Sequence, residues 1–121
     1  MVRISDAELE VMKIVWEKGE VTSQEIINRL KGFKWNDNTV RTLINRLIAK
    51  KAVGVSSKQS KAYIYVPLIK EDEYTKTRTT NFVKQFFHGS VNEMMLNFVN
   101  SNELTKDDLS YLRDQIDKKI K

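Results

Sequence analysis

Residues 38–51 have the sequence NTVRTLINRLIAKK, and two short stretches of β-prone residues follow them around a basic turn, SKQSK, at residues 57–61. The apolar residues of the first segment recur at helical spacing and share one face: Val40, Leu43, Ile44, Leu47 and Ile48. The opposite face is polar and cationic. A cationic amphipathic helix followed by a basic hairpin predicts a winged helix-turn-helix, in a protein that is mainly α with a small β-hairpin.

The polar face of this helix carries the residue types that contact DNA. Arginine bonds guanine or phosphate, asparagine bonds adenine, and threonine contacts phosphate or a thymine methyl group. Thr39, near the helix N-terminus, is expected to hold a phosphate together with backbone N–H groups. The full set predicted to contact DNA is Thr39, Arg41, Thr42, Asn45, Arg46, Lys50, Lys58, Lys61 and Tyr63. An ordinary solvated helix face is the alternative, in which Arg46 pairs with an acid on the first helix.

The charge of the chain is distributed unevenly. Residues 1–70 contain thirteen Lys and Arg against seven Asp and Glu, whereas residues 71–121 contain eight against nine. Between residues 30 and 61 there are eight bases and a single acid, Asp37. Positive charge is therefore concentrated on the predicted helix and hairpin, as a DNA-binding surface requires, although a solvated basic face would have the same composition.

Capping signals predict the helices of the first half. SDAE at residues 5–8 and TSQE at residues 22–25 are capping boxes, and Gly19 and Gly32 are expected near the ends of the helices that they open. The third helix has three candidate N-caps, Asn36, Asp37 and Asn38. In the hairpin, alternation predicts that Ile64 and Val66 face the core and that Tyr63 and Tyr65 point the other way, with Pro67 ending the strand.

The second half of the chain contains three helical segments with apolar faces. These short helices are too small to bury their apolar faces against one another, and the simplest remedy is a second copy of the chain. The predicted dimerisation residues are Phe82, Phe86, Met94, Met95, Phe98, Leu109, Leu112 and Ile116. We therefore predict a DNA-binding domain at 1–70 and a dimerisation domain at 71–121. The alternative is that the second half packs on its own winged helix.

The composition argues against several functional classes. There is no cysteine, one histidine, His88, and no glycine-rich phosphate loop, so we expect neither an enzyme nor a cofactor or metal site. No apolar run approaches the roughly 20 residues that span a bilayer, and the N-terminus lacks a signal-peptide core. We expect a soluble cytoplasmic protein that does not insert into the membrane.

Four segments resemble the penicillinase-repressor family, the BlaI/MecI group of bacterial regulators, to which the copper-responsive CopY repressors are related. They are residues 4–16, ISDAELEVMKIVW, residues 39–47, TVRTLINRL, followed by Lys50 and Lys51, and two stretches of the second half, MLNF at 95–98 and LTKDDLSYLR at 104–113. The resemblance implies a dimeric repressor on a twofold operator that blocks transcription of β-lactam resistance genes. It also implies a membrane sensor of the antibiotic and cleavage of the repressor between an Asn and a Phe, here Asn97 and Phe98.

The chain departs from the family pattern at several points. Asn38 stands where relatives often carry Lys, so one phosphate contact is expected to be absent. Ala52 stands where many winged helices have Gly, so the helix over residues 38–51 is expected to end differently. The cysteine-rich end of the copper branch is absent, which argues against thiolate copper sensing. Two other functions remain open at this point: a winged-helix regulator released by a small ligand, and a protein–protein adaptor that does not bind DNA.

Overall fold

A computed structural model describes residues 2–59 and 62–121 of the 121-residue chain, with the backbone alone at residues 57–59. The described part contains six α-helices, one short 3-10 helix and an antiparallel hairpin, which confirms the mainly α fold with a small hairpin. The helices are α1 (Asp6–Lys18), α2 (Ser23–Arg29), α3 (Asp37–Ala49), α4 (Glu71–Phe86), α5 (Val91–Val99) and α6 (Lys106–Ile120). The strands are β1 (Val53–Gln59) and β2 (Ala62–Pro67), and the 3-10 helix is Lys31–Phe33.

The chain forms two compact units that divide between Tyr74 and Thr75. We call them the N-terminal unit, which ends at Tyr74, and the C-terminal unit, Thr75–Lys121. The assignment of DNA binding to residues 1–70 and of dimerisation to residues 71–121 stays a prediction. No helix in the described parts of either unit is long and apolar enough to cross a membrane.

The predicted capping boxes are present at the start of α1 and α2. The Ser5 hydroxyl accepts from the Glu8 backbone N–H at 3.1 Å, and the Ser5 N–H donates to Glu8 Oε1 at 2.9 Å. Thr22 and Glu25 make the same reciprocal pair. Gly19 ends α1 with a φ of 77°, as predicted. The end of α2 differs, because the chain turns into the 3-10 helix directly after Leu30 rather than continuing towards Gly32.

The C-terminus of α3 ends in a Schellman motif without glycine. The Ala52 N–H donates to the Leu47 carbonyl at 2.9 Å and the Lys51 N–H to the Ile48 carbonyl at 3.0 Å, while Lys51 adopts a φ of 64°. Ala52 and Leu47 are both fully buried, which supplies the apolar contact of the motif. The left-handed position is therefore residue 51, and Ala52 does not have to adopt it.

One helix-packed core holds the N-terminal unit together. Most of its fully buried residues come from α1, α2, α3 and the start of β1, and Val21 and Ala52 lie between these elements: Val11, Met12, Val15, Val21, Ile26, Val40, Ile44, Leu47, Ala52 and Val53. The Trp16 indole N–H donates to the Ile69 carbonyl at 2.9 Å, and its ring lies 5.8 Å from that of Tyr74. The segment after the hairpin and the first turn of α4 are thus attached to α1.

The predicted orientation of β2 is wrong at Tyr65. Tyr65 is 9% exposed and belongs to the core, whereas Ile64 and Val66 are only partly buried. The cause is an isolated β-bridge between Val21 and Tyr65. Val21 and Tyr65 exchange both backbone hydrogen bonds, at 3.1 and 2.8 Å, and this bridge holds the tyrosine side of β2 against the helices.

The C-terminal unit has little buried apolar surface. Val83, at 4% exposure, is its one buried hydrophobic residue in the described part of the chain. Thr105 and Asp108 form a capping box that opens α6. Between α4 and α5 the chain reverses through His88 and Gly89, which both have positive φ, at 53° and 81°.

Candidate nucleic-acid interface

The faces of α3 are separated as the sequence predicted. Val40, Leu43, Ile44 and Leu47 are buried, and Ile48 is partly buried. The exposed side chains follow the helical repeat on the other side: Asn38, Arg41, Thr42, Asn45 and Arg46. The packing of α3 on α1 and α2 thus leaves a polar face with two guanidinium groups and two amides accessible to a partner.

Asn36 organises the N-terminus of α3. Its side-chain oxygen accepts from the Thr39 backbone N–H at 2.8 Å and from the Thr39 hydroxyl at 3.0 Å. Asn36 is therefore the N-cap among the three candidates. Both Thr39 donors are used within the helix, so a phosphate at this position would have to displace Asn36 from the hydroxyl. The nearby carboxylate of Asp37 would also oppose an anion there.

Thr42 and Arg46 border an open concavity beside the helix. The concavity has a volume of about 370 Å³ and is lined by Asn36, Asn38, Thr39, Thr42, Leu43 and Arg46. The Thr42 hydroxyl donates to the Asn38 carbonyl at 2.9 Å, which leaves its oxygen and methyl group available to an outside partner. Most of the lining is polar, so the concavity suits a hydrogen-bonding partner better than an apolar one.

Tyr65 of β2 is under the electrostatic influence of Arg41 on α3. Burial raises the pKa of the Tyr65 hydroxyl and Tyr63 raises it further, while the positive charge of Arg41 lowers it. Arg41 is therefore within electrostatic range of β2. Tyr63 is half exposed, and its ring lies 6.5 Å from that of Tyr65. The sequence did not indicate this electrostatic influence of Arg41 on Tyr65.

The predicted contacts at the turn of the hairpin are only partly described. Lys58 pairs with Tyr63 in the backbone register of β1 and β2. Lys61 lies outside the described residues. The predicted contribution of both lysines to a phosphate contact stays a prediction.

Lys50 has a partner within the protein. Its ammonium group donates to Glu8 Oε1 at 2.6 Å and to the Arg3 carbonyl at 2.7 Å. Burial raises the pKa of the Glu8 carboxyl, but hydrogen bonds from Lys50 and Ser5 outweigh this effect, so the pKa lies below its ordinary value. The sequence predicts Lys50 as a DNA contact and Glu8 as part of a local cap, because no local sequence pattern relates two residues that lie 42 positions apart.

The acidic residues do not form a metal site. Within residues 2–59 and 62–121, no group of three or more His, Cys, Asp or Glu side chains is arranged to hold a metal ion. The acids at residues 71–73 and 107–108 lie in the first turns of α4 and α6, where they complement the helix dipoles.

Comparison with known proteins gives a consistent result over nearly the whole chain. The family model described as penicillinase repressor matches residues 4–118. The chain is 35% identical to the penicillinase repressor of Bacillus licheniformis over 111 residues, which cover 91% of this chain and 86% of that protein. It is also 35% identical to the methicillin resistance regulatory protein MecI of Staphylococcus aureus over 117 residues, covering 96% and 94% of the two chains.

A solved structure extends this similarity to the fold of the N-terminal unit. It is the solution structure of the monomeric form of Bacillus licheniformis BlaI in complex with the blaP half-operator. It is 38% identical to this chain, has a TM-score of 0.51, and covers 60% of this chain and 88% of its own. The family is one of transcriptional repressors rather than enzymes. By its sequence over residues 4–118 and by its winged-helix fold, the chain belongs to the penicillinase repressor family.

Proposed function

We propose that the chain is a homodimeric transcriptional repressor that binds a twofold-symmetric operator and controls β-lactam resistance genes. Its α3 helix contacts base edges, and the hairpin contacts the DNA backbone. Proteolysis at Asn97–Phe98 by a membrane sensor-protease system inactivates it. The observation that carries the proposal is the exposed face of α3, where Arg41, Asn45 and Arg46 lie beside one another on a rigid helix.

The chemistry of this face supports contact with duplex DNA. Arginine and asparagine make bidentate bonds to guanine and adenine in the major groove, which is wide enough to admit a helix. The similar BlaI structure is a complex of a monomeric form with a half-operator. One N-terminal unit of this chain therefore corresponds to one half-site, and a full operator takes two.

The exposed apolar surface of the C-terminal unit supports a dimer. Phe86 is 61% exposed, Leu96 57% and Ile116 49%. Phe82, Met95 and Phe98 are exposed as well, and Met94, Leu109 and Leu112 are partly buried. All eight predicted dimerisation residues thus retain surface that a second copy would cover. Large exposed apolar side chains in such number are typical of a protein-interaction site.

The proposed cleavage site lies at the end of a short helix. Asn97 and Phe98 belong to the last turn of α5, and both are exposed. The turn is held by hydrogen bonds from Asn100 to the Leu96 carbonyl, at 2.9 Å, and from Ser101 to the Phe98 carbonyl, at 3.2 Å. A protease binds extended backbone, so this turn has to open first. Terminal turns open at low free energy, which makes the site accessible without unfolding the N-terminal unit.

The test compares the intact chain with a chain that ends at Asn97 on full and half operators. A dimer that neutralises on the order of 6–10 phosphates loses about 10³–10⁵ in affinity between 50 and 200 mM salt. The truncated chain lacks α6 and should bind a half-site as the intact chain does, while losing the additional affinity for the full operator. Its unchanged half-site affinity is the control for folding.

Three results would contradict the proposal in different ways. Equal affinity of both chains for the full operator would remove the proteolytic mechanism. Release of the intact chain from DNA by a small molecule, with no cleavage, would favour a ligand-controlled regulator. Undetectable binding to any duplex at low salt would favour an adaptor without DNA binding.

A further inference from the structure

Glu8 is the one charged side chain that is buried in the described part of the chain, with 2% exposure. Its Oε1 accepts from the Ser5 N–H at 2.9 Å and from the Lys50 ammonium at 2.6 Å. Its Oε2 is buried and has no hydrogen-bond partner among the described residues. Lys50 is therefore the only counter-charge that the described residues supply to this carboxylate.

The capping function of Glu8 does not explain its burial. Glu25 and Asp108 occupy the same position in the capping boxes of α2 and α6, and both are exposed. Neither has a described ion pair. Burying a carboxylate has a large desolvation cost that a local cap does not require. The burial of Glu8 is thus specific to its contact with Lys50.

The Glu8–Lys50 pair connects the two helices that position the DNA-binding face. Lys50 is the C-cap of α3, and Glu8 lies in the first turn of α1. The Lys50 ammonium also donates to the Arg3 carbonyl at 2.7 Å, just before α1. Apolar packing of Leu43, Ile44 and Leu47 is not directional, so it tolerates small rotations of α3. The two hydrogen bonds that the Lys50 ammonium donates have preferred directions, and together they attach the end of the helix opposite to its Asn36 cap to α1 and to the segment before it.

A small rotation of α3 would be enough to disturb base contacts. Side-chain tips lie about 5–6 Å from a helix axis, so a rotation of about 20° displaces them by about 2 Å. Bidentate hydrogen bonds to bases break at such a displacement, because their geometry is strict. Contacts to phosphate lengthen but survive, and they carry no sequence information. The fixed orientation of α3 therefore matters more for specificity than for overall affinity.

We propose that Glu8 and Lys50 are positioning residues that fix the orientation of α3 for operator recognition, and that Lys50 acts through Glu8 rather than on a phosphate. The inference rests on the proposed DNA-binding function and adds two residues to it. It changes the role of Lys50 from a DNA contact to a support of Arg41, Asn45 and Arg46.

The test uses the full-length double variant Glu8→Gln with Lys50→Met, which removes both charges and leaves no unpaired buried ion. Affinity for operator and for unrelated duplex is measured over a range of salt concentrations. The operator preference should fall about tenfold or more, the effect of losing one good base contact. The dependence of log affinity on log salt should match that of the native chain. A salt slope smaller by about 0.9 per bound protomer, which is about 1.8 for a dimer on the full operator, would make Lys50 a phosphate contact and overturn the proposal.

The single variant Glu8→Gln gives a second test of whether Lys50 positions α3 or contacts a phosphate. A positioning role predicts lower operator preference, because a neutral amide at position 8 holds the Lys50 ammonium less strongly than the carboxylate does. A phosphate contact predicts unchanged or tighter binding, because the ammonium is released and a negative charge is removed. Glu25→Gln is the matched control, with the same position in a capping box and the same loss of charge, and it should leave the preference unchanged.

The outcomes also distinguish this inference from the function on which it rests. A native chain that binds operator, with variants that keep full preference, overturns the positioning role alone. A native chain that binds no duplex at any salt concentration overturns the DNA-binding function, and the positioning role with it. Circular dichroism and urea unfolding of each variant verify that the binding data refer to folded protein.

Discussion

Replacement of Ile116 by Asp should convert the proposed dimer into a monomer. Ile116 lies on α6 and is 49% exposed in the single chain, so about half of its surface is left for a partner to cover. Full burial of an Ile side chain stabilises by about 1.5–3 kcal/mol, and half of it by about 1–1.5 kcal/mol. Twofold symmetry places the substitution in both copies. The dimer should therefore weaken by about 2–3 kcal/mol, which is roughly 30- to 150-fold in dissociation constant.

The assay is sedimentation equilibrium over a range of protein concentrations, combined with operator titration. Half-site affinity should not change, because the N-terminal unit contains none of α6. Full-operator affinity should fall towards the half-site value when the protein concentration is below the new dissociation constant. Gln115→Asp introduces the same charge about 100° around the same helix, at an exposed polar position, and serves as the control.

An unchanged dissociation constant of the dimer after Ile116→Asp would refute this prediction. Such a result would mean that the apolar stripe of α6 is not covered by a second copy. It would also contradict the account of cleavage at Asn97–Phe98, since removal of α6 would then remove no dimer contacts.

Three further predictions concern the N-terminal unit. Asn36→Ala removes both bonds to Thr39 and should lower the free energy of unfolding by about 1 kcal/mol in urea titration, whereas Asn36→Ser should preserve most of it. Lys51→Gly relieves a φ of 64° and should raise stability by about 0.5–1 kcal/mol in the same assay; a loss would show that the Lys51 side chain makes a stabilising contact. The folded pKa of Glu8 lies below its ordinary 4.5, so its contribution is present at neutral pH and is lost as pH falls through that lowered value. Urea unfolding of Glu8→Gln should therefore show a flatter decline below pH 4.5 than the native chain, and an identical decline would assign the acid sensitivity to other groups.

Local signals predicted the helices well because the interactions that start them are local. Ser5, Thr22 and Thr105 each bond the backbone three residues ahead, so both partners lie within one short sequence window. The faces of α3 were predicted for the same reason, since the helical repeat alone separates Val40 and Leu43 from Arg41 and Asn45.

Features that depend on distant residues were not predictable in this way. Alternation along β2 cannot decide which face is buried; the bridge from Val21 to Tyr65 decides it, across 44 positions of sequence. The partner of Lys50 lies 42 residues away. A lysine on a cationic helix is equally consistent with phosphate and with a buried carboxylate until the packing of α1 against α3 is known.

The contrast between the two units gives the proposed proteolytic mechanism a physical basis. The N-terminal unit has its own core, from Ile4 to Tyr74, whereas the C-terminal unit buries Val83 and exposes most of its other large apolar residues. A cut at Asn97–Phe98 removes α6, and it leaves the core of the N-terminal unit intact. Each cut molecule would retain the α3 face and its half-site affinity while losing the gain from two linked units. Repression would then end through the loss of avidity, with no change in the residues that contact DNA.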